Sequence, residues 1–138
     1  MTSDDRLPGR HRLPEAVVAR LLSVAVPEDE LRAMCVHTGA PARWVPALFR
    51  TGAMTFGRHV FFRAGRYDTA SARGLALLAH EAGHIAQYRA LGAPRFLVDY
   101  ARGAVRSRFR HDRHPLEAPL NRRQSAVRHA LEDGRADL

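Results

Sequence analysis

The chain has 138 residues, 46% hydrophobic and 26% charged, enough to bury the core of one domain and too apolar for wholesale disorder. Lys plus Arg is 22 against 14 acids, a formal charge of +8, which permits nucleic acid, acidic protein or an anionic membrane surface as partner. The lone cysteine, Cys35, excludes an intrachain disulfide and a thiolate zinc cluster within one chain. The bases are overwhelmingly arginine, a bias that an Arg-, Ala- and Gly-rich composition produces without any partner. No apolar stretch follows Met1 (MTSDDRLPGRHR), and no segment approaches the ~18–20 apolar residues of a membrane span. The expectation is a protein without signal peptide or transmembrane segment, cytoplasmic in the producing cell and exportable by a leaderless route.

Residues 1–12 are polar and expected to fray; 13–138 are expected to form a single compact domain. Pro14-Glu15 opens EAVVARLLSVAV, where Val17, Val18, Leu21 and Leu22 recur at helical spacing. Pro27 restarts the chain, and LRAMCVH at 31–37 fits a strand or a short helix. TGAPA is a turn signal, and ARWVPALFRTG reads as a short helix interrupted at Pro46. AMTFGRHVFF at 53–62, turning at Gly57, reads as an antiparallel ribbon. RAGRYDTAS is a loop, with Ser71 or Thr69 as helix cap. The best helix is 72–91, free of proline and stopped by Gly92 and Pro94. Residues 95–109 form a second helix weakened at Gly103, HDRHP at 111–115 is a polar break, and 121–133 is a last helix. The class is α+β, mainly helical, with a short antiparallel ribbon beside the helix 72–91.

That helix carries LLAHEAGHIAQY. Positions four apart lie above one another on a helix, so His80 and His84 can present two imidazoles to one ion. Glu81 lies about 100° around the axis, placed to take a proton from water on the open side of the ion. The same spacing also arises on an ordinary helix that happens to carry two histidines. Leu75, Leu78, Ala79, Ala82 and Ile85 give the helix a buried face, and Gly83 inside the motif signals close packing or simple tolerance. The metzincin extension is absent, because position 90 is Ala90. Spacing leaves the third ligand open among Asp99, His111, Asp112, His114, Glu117, His129 and Glu132.

The segment 53–88 resembles the metallopeptidase domain found with extracellular contractile injection systems, a compact, gluzincin-like zincin. Phe56, Gly57, Val60, Phe62, Gly65 and Tyr67 match its first stretch. His80, Glu81, His84 and Gln87 match its helix, and His114-Pro115-Leu116-Glu117-Ala118 matches the start of a later "P-E-EA" segment. The resemblance implies a small zincin-like domain with Glu117 as third ligand. Pro119 departs from the family's helical acidic pattern, and either kinks the supporting helix or sets Glu117 in its first turn. The implied activity is zinc-dependent peptide hydrolysis, with Glu81 as general base and one Zn2+ per chain. Lacking a second cysteine, the chain is not expected to hold a further structural zinc. Candidates beside the metal, for the transition state or the rim, are Tyr88, Tyr100, His111 and His114. Val60-Phe61-Phe62 is the candidate edge strand for an extended substrate, against the reading of an ordinary core strand. The implied partners are a peptide or protein substrate and an injection-system or effector protein.

Two other classes compete. One is a zinc-held structural or cargo module without turnover. The other is a nucleic-acid binder using Arg102, Arg106, Arg108, Arg110, Arg113, Arg122, Arg123 and Arg128. No nucleic-acid motif accompanies those arginines, and Trp44 and the phenylalanines do not interleave with them as stacking platforms do.

Overall fold

The computed structural model describes residues 10–39, 52–110 and 112–134. The segment read as a helix around Pro46 lies outside them, as does His111. The fold is α+β and mainly helical, as the sequence indicates. Strand β1 (Arg10–Arg12) takes in the last residues of the segment expected to fray. Helix α1 (Glu15–Leu22) buries Val17, Val18 and Leu21, the apolar stripe that its 3.6-residue period brings to one side. Pro27 starts α2 (Glu28–Ala33), whose first turn holds Glu28, Asp29 and Glu30 where the helix dipole favours negative charge. The ambiguous LRAMCVH is divided: Leu31 to Ala33 end α2, and Cys35–His37 form β2.

The ribbon forms as expected. Strands β3 (Ala53–Phe56) and β4 (His59–Phe62) pair antiparallel, with Phe56 opposite His59, and Gly57 turns the chain at φ 65°. The sheet order is β1-β2-β4-β3, with β2 and β4 parallel. This corrects the assignment of Val60-Phe61-Phe62 to a substrate-pairing edge. Strand β4 has neighbours on both sides, and Val60 and Phe62 are buried in the core. Among the described residues β3 lies at the end of the strand order, next to β4. The physical reason for the correction is that both rows of β4 backbone hydrogen-bonding groups are used, by β2 on one side and β3 on the other.

Helix α3 (Ala72–Leu91) is the centre of the molecule. Its N-terminus is capped by Ser71, whose Oγ accepts from the Gly74 amide at 3.0 Å. It buries residues on every side from Gly74 to Ile85, a pattern that requires partners all round. Helix α4 (Ala93–Arg106) follows directly after Gly92, so Pro94 serves its first turn as well as ending α3. Helix α5 (Ala118–Glu132) begins three residues before the expected 121, with Glu117 as N-cap and Pro119 in the first turn, where its missing N–H leaves no bond unmade. Helix α5 lies so close to α3 that a Cβ at Gly83 would sit 2.2 Å from Leu120 Cδ2. Gly83 therefore offsets its weak helix propensity by allowing this approach. The buried Glu30 receives Arg123 Nη1 at 2.7 Å, and Arg123 also reaches the Ala79 carbonyl at 3.3 Å. One of the arginines read as a basic face is thus an internal clamp joining α2, α3 and α5.

Candidate metal centre

His80 and His84 face the start of α5 from α3. The spacing of four residues sets their rings 5.2 Å apart, and both Nε2 atoms approach the same oxygen of Glu117. His84 Nε2 lies 2.5 Å from Glu117 Oε1, and His80 Nε2 lies 3.4 Å from it. All three side chains are buried, at 5%, 6% and 2% exposure for His80, His84 and Glu117. A carboxylate buried between two imidazoles loses its hydration, so it requires a positive charge in compensation. Burial pushes the His84 imidazole down, but its hydrogen bond to Glu117 and the charges of Glu81 and Glu117 outweigh this and leave it raised. A divalent cation can supply that charge instead, and two nitrogens with one carboxylate oxygen form a donor set that suits zinc.

Gln87 ties the parts together. Its Oε1 accepts from His84 Nδ1 at 2.9 Å, and its Nε2 donates to the Leu116 carbonyl at 2.9 Å. The first bond holds the proton on Nδ1 and turns the Nε2 lone pair inward. The second pins the residue before Glu117 to α3. His80 Nδ1 is buried and meets no hydrogen-bond partner among the described residues.

Glu81, one step along α3, points toward the sheet. Thr55 Oγ1 on β3 donates to Glu81 Oε2 at 2.8 Å, leaving Oε1 available. Sequence reasoning missed Thr55. Its role depends on how the hairpin docks on α3, and no local spacing encodes that. Tyr88 commits its hydroxyl to the Thr55 carbonyl at 3.2 Å and stacks on Phe96 with ring centroids 3.8 Å apart. Burial raises its phenol to about 12. Tyr100 from α4 reaches Glu117. Burial first, then the charges of Glu117 and Glu81 and a hydrogen bond to Glu117, hold its phenol well above the usual value, so it stays a neutral donor.

His114 is occupied elsewhere. Its Nδ1 accepts from the Leu116 amide at 3.0 Å, which leaves the proton on Nε2 to donate to the Tyr100 carbonyl at 2.8 Å. With both nitrogens engaged by backbone, His114 fixes the loop before Glu117 rather than joining the donor trio. Gly103 makes this possible, since a Cβ there would meet the His114 ring at 2.7 Å. The glycine read as a weak point of α4 is a contact surface.

The trio lies on the wall of a cavity of about 670 Å³ between the β3 edge and α4. Met54, Phe56, Phe61, Leu97, Ala101 and Phe109 make much of its lining apolar. Phe56, Leu97 and Phe109 are also exposed, so the cavity opens to solvent along an apolar rim. A second set of donors, Cys35, His37 and His59, gathers on the sheet. Among the described residues no helix is long and apolar enough to cross a membrane. Residues 12–92 match the family model described as the eCIS core domain, a stretch that includes His80, Glu81 and His84 and ends before Glu117. No curated protein and no solved structure matches the chain.

Proposed function

We infer that this chain, which belongs to the eCIS core domain family, is a peptidase with one catalytic zinc, held by His80 Nε2, His84 Nε2 and Glu117 Oε1. The observation that carries the reading is the convergence of these three buried donors beside a carboxylate held by Thr55 at the wall of an open cavity. A zinc bound there supplies Lewis acidity to a peptide carbonyl and lowers the pKa of water toward ~7. Glu81 accepts the proton of the attacking water through its uncommitted oxygen and returns it to the leaving amine. Thr55 keeps that carboxylate aimed by binding its other oxygen. Tyr100, kept protonated, turns its hydroxyl from Glu117, whose charge a bound cation offsets, to donate a hydrogen bond to the oxyanion that develops on the carbonyl. The outer side of β3 offers backbone for pairing with an extended substrate, and the rim of Phe56, Leu97 and Phe109 favours peptides with bulky apolar side chains. The family's link to contractile injection systems makes a particle protein or its cargo the proposed source of substrate.

The test is cleavage of a peptide library by native protein, by protein stripped with a chelator, and by stripped protein resupplied with zinc until binding is saturated. Cleavage lost on stripping and restored by zinc, with apolar residues enriched beside the cut, is the expected result. Stoichiometric zinc with no cleavage of any peptide would favour the zinc-held module without turnover.

A further inference from the structure

The second donor set arises from strand register. Cys35 and His37 are two apart on β2, so their side chains leave the same face. His59 pairs with Cys35 across the parallel β2–β4 ladder and falls on that face too. Val36 and Val60, the intervening pair, turn the other way into the core. The register thus collects one thiol and two imidazoles, with Cys35 buried and the two histidines half-buried.

We propose that Cys35 Sγ, His37 Nε2 and His59 Nδ1 supply three of the ligands of a second zinc site, separate from the centre on α3. The three donor atoms all lie within 4.8 Å of one another, and His37 Nε2 is 3.0 Å from His59 Nδ1. Tetrahedral zinc with ordinary bond lengths requires nitrogens about 3.3 Å apart and sulfur about 3.6 Å from each nitrogen. The imidazole pair is already close to this spacing, and the sulfur lies within the range that a small side-chain rotation covers. One thiolate with two imidazoles is softer than the donor set on α3 and selects zinc over magnesium or calcium. Phe61 stacks on the His37 ring with centroids 4.7 Å apart, which fixes its orientation. Arg10 Nε donates to Cys35 Sγ at 3.4 Å, a contact that stays favourable when the sulfur is a metal-bound anion. The alternative is a plain His37–His59 hydrogen bond beside a thiol that accepts from Arg10, with no metal between them. The expectation of no further structural zinc counted cysteines alone, whereas a set of one cysteine and two histidines needs only one. An ion here would fasten β2 to β4, joining the N-terminal half of the chain to the hairpin that carries Thr55.

Cobalt(II) reports the site directly, because Cys35 is the chain's lone cysteine and the α3 centre has no sulfur. Titration of metal-free protein with Co2+ should reach two equivalents per chain and develop a thiolate-to-cobalt charge-transfer band in the near ultraviolet. Added zinc should erase the band. Glu117→Ala should keep the band and lose the other equivalent. His59→Gln, half-buried and close in size, should lose the band, keep one equivalent and keep its circular dichroism. Cys35 is fully buried, so Cys35→Ser is a secondary check only. No band in folded wild type at saturating cobalt, or a band unchanged in His59→Gln, overturns the proposal. None of these readouts involves peptide cleavage, so the site stands or falls apart from the peptidase reading.

Discussion

The trio on α3 and α5 and the trio on the sheet each bring three donors within reach of one ion, yet their surroundings differ. His80, His84 and Glu117 sit beside a carboxylate, a neutral phenol and an open apolar cavity. Cys35, His37 and His59 lie on the strand face opposite Val36 and Val60, the sulfur buried and the rings half-buried, with an arginine against the sulfur and a phenylalanine against one ring. Donor geometry alone makes a place for a metal. Reactivity needs a base with an oxygen to spare, a donor for the developing charge, and room for substrate, and among the described residues these gather beside the helical trio.

The largest expected effect comes from removing the carboxylate that separates the two sets. Glu117→Ala should weaken zinc at the α3 centre by well over the ~100-fold typical of losing an outer-shell partner, measured by competition with a chelating dye. Glu132→Ala, on the same helix, should leave affinity unchanged. Equal affinity in wild type and Glu117→Ala would move the third ligand elsewhere. Next is Tyr100→Phe, which keeps ring and packing but removes the hydroxyl. It should lower kcat by ~10²–10³-fold, as loss of one oxyanion donor does, with zinc content unchanged and KM little altered. A kcat equal to wild type would reduce Tyr100 to a packing residue. Gln87→Ala should cost ~10–100-fold in zinc affinity, because it frees both the His84 ring and the backbone before Glu117.

The smallest effects concern the scaffold. Ser71→Ala removes the cap of α3 and should cost about 1 kcal/mol in denaturant unfolding. The Ser71 hydroxyl, donating at 2.7 Å, and the Ala70 amide, at 2.9 Å, hold the Asp68 carboxyl below its usual range. A depressed carboxylate contributes stability above the ordinary Asp value of ~3.9 and loses it as pH falls through the lowered native value. Unfolding midpoints of wild type and Ser71→Ala should therefore converge somewhat on the acid side of that value. A constant gap down to full protonation would separate Asp68 from the cap.

Local features were legible in the sequence, because helical period and turn chemistry act over a few residues. Helix α3 runs over the expected 72–91, the hairpin forms at Gly57, and LRAMCVH was ambiguous because it contains the end of one element and the start of another. Features fixed by tertiary approach were not legible. Glu117 entered through family resemblance, since 32 intervening residues between it and His84 carry no geometric signal. Thr55 depends on hairpin docking, and the engagement of both His114 nitrogens depends on Gly103 admitting the ring. The sheet trio required the parallel register of β2 and β4, which a chain order that places β3 between them conceals. Local sequence does not distinguish an outer from an inner strand: Val60-Phe61-Phe62 and Ala-Met-Thr-Phe both read as strands, and the pairing of β4 with β2 as well as β3 sets their order.

The claim at the centre is that Glu81 does chemistry while its neighbours hold the ion. The direct measurement is peptide turnover by wild type and Glu81→Gln at matched zinc occupancy, the occupancy read by elemental analysis on the assayed samples. Glutamine keeps the size and an oxygen acceptor for Thr55 but cannot take the water's proton. The account predicts equal zinc, equal thermal stability within about 0.5 kcal/mol, and turnover lower by ~10²–10⁴-fold. Equal turnover in the two proteins at equal zinc would contradict it.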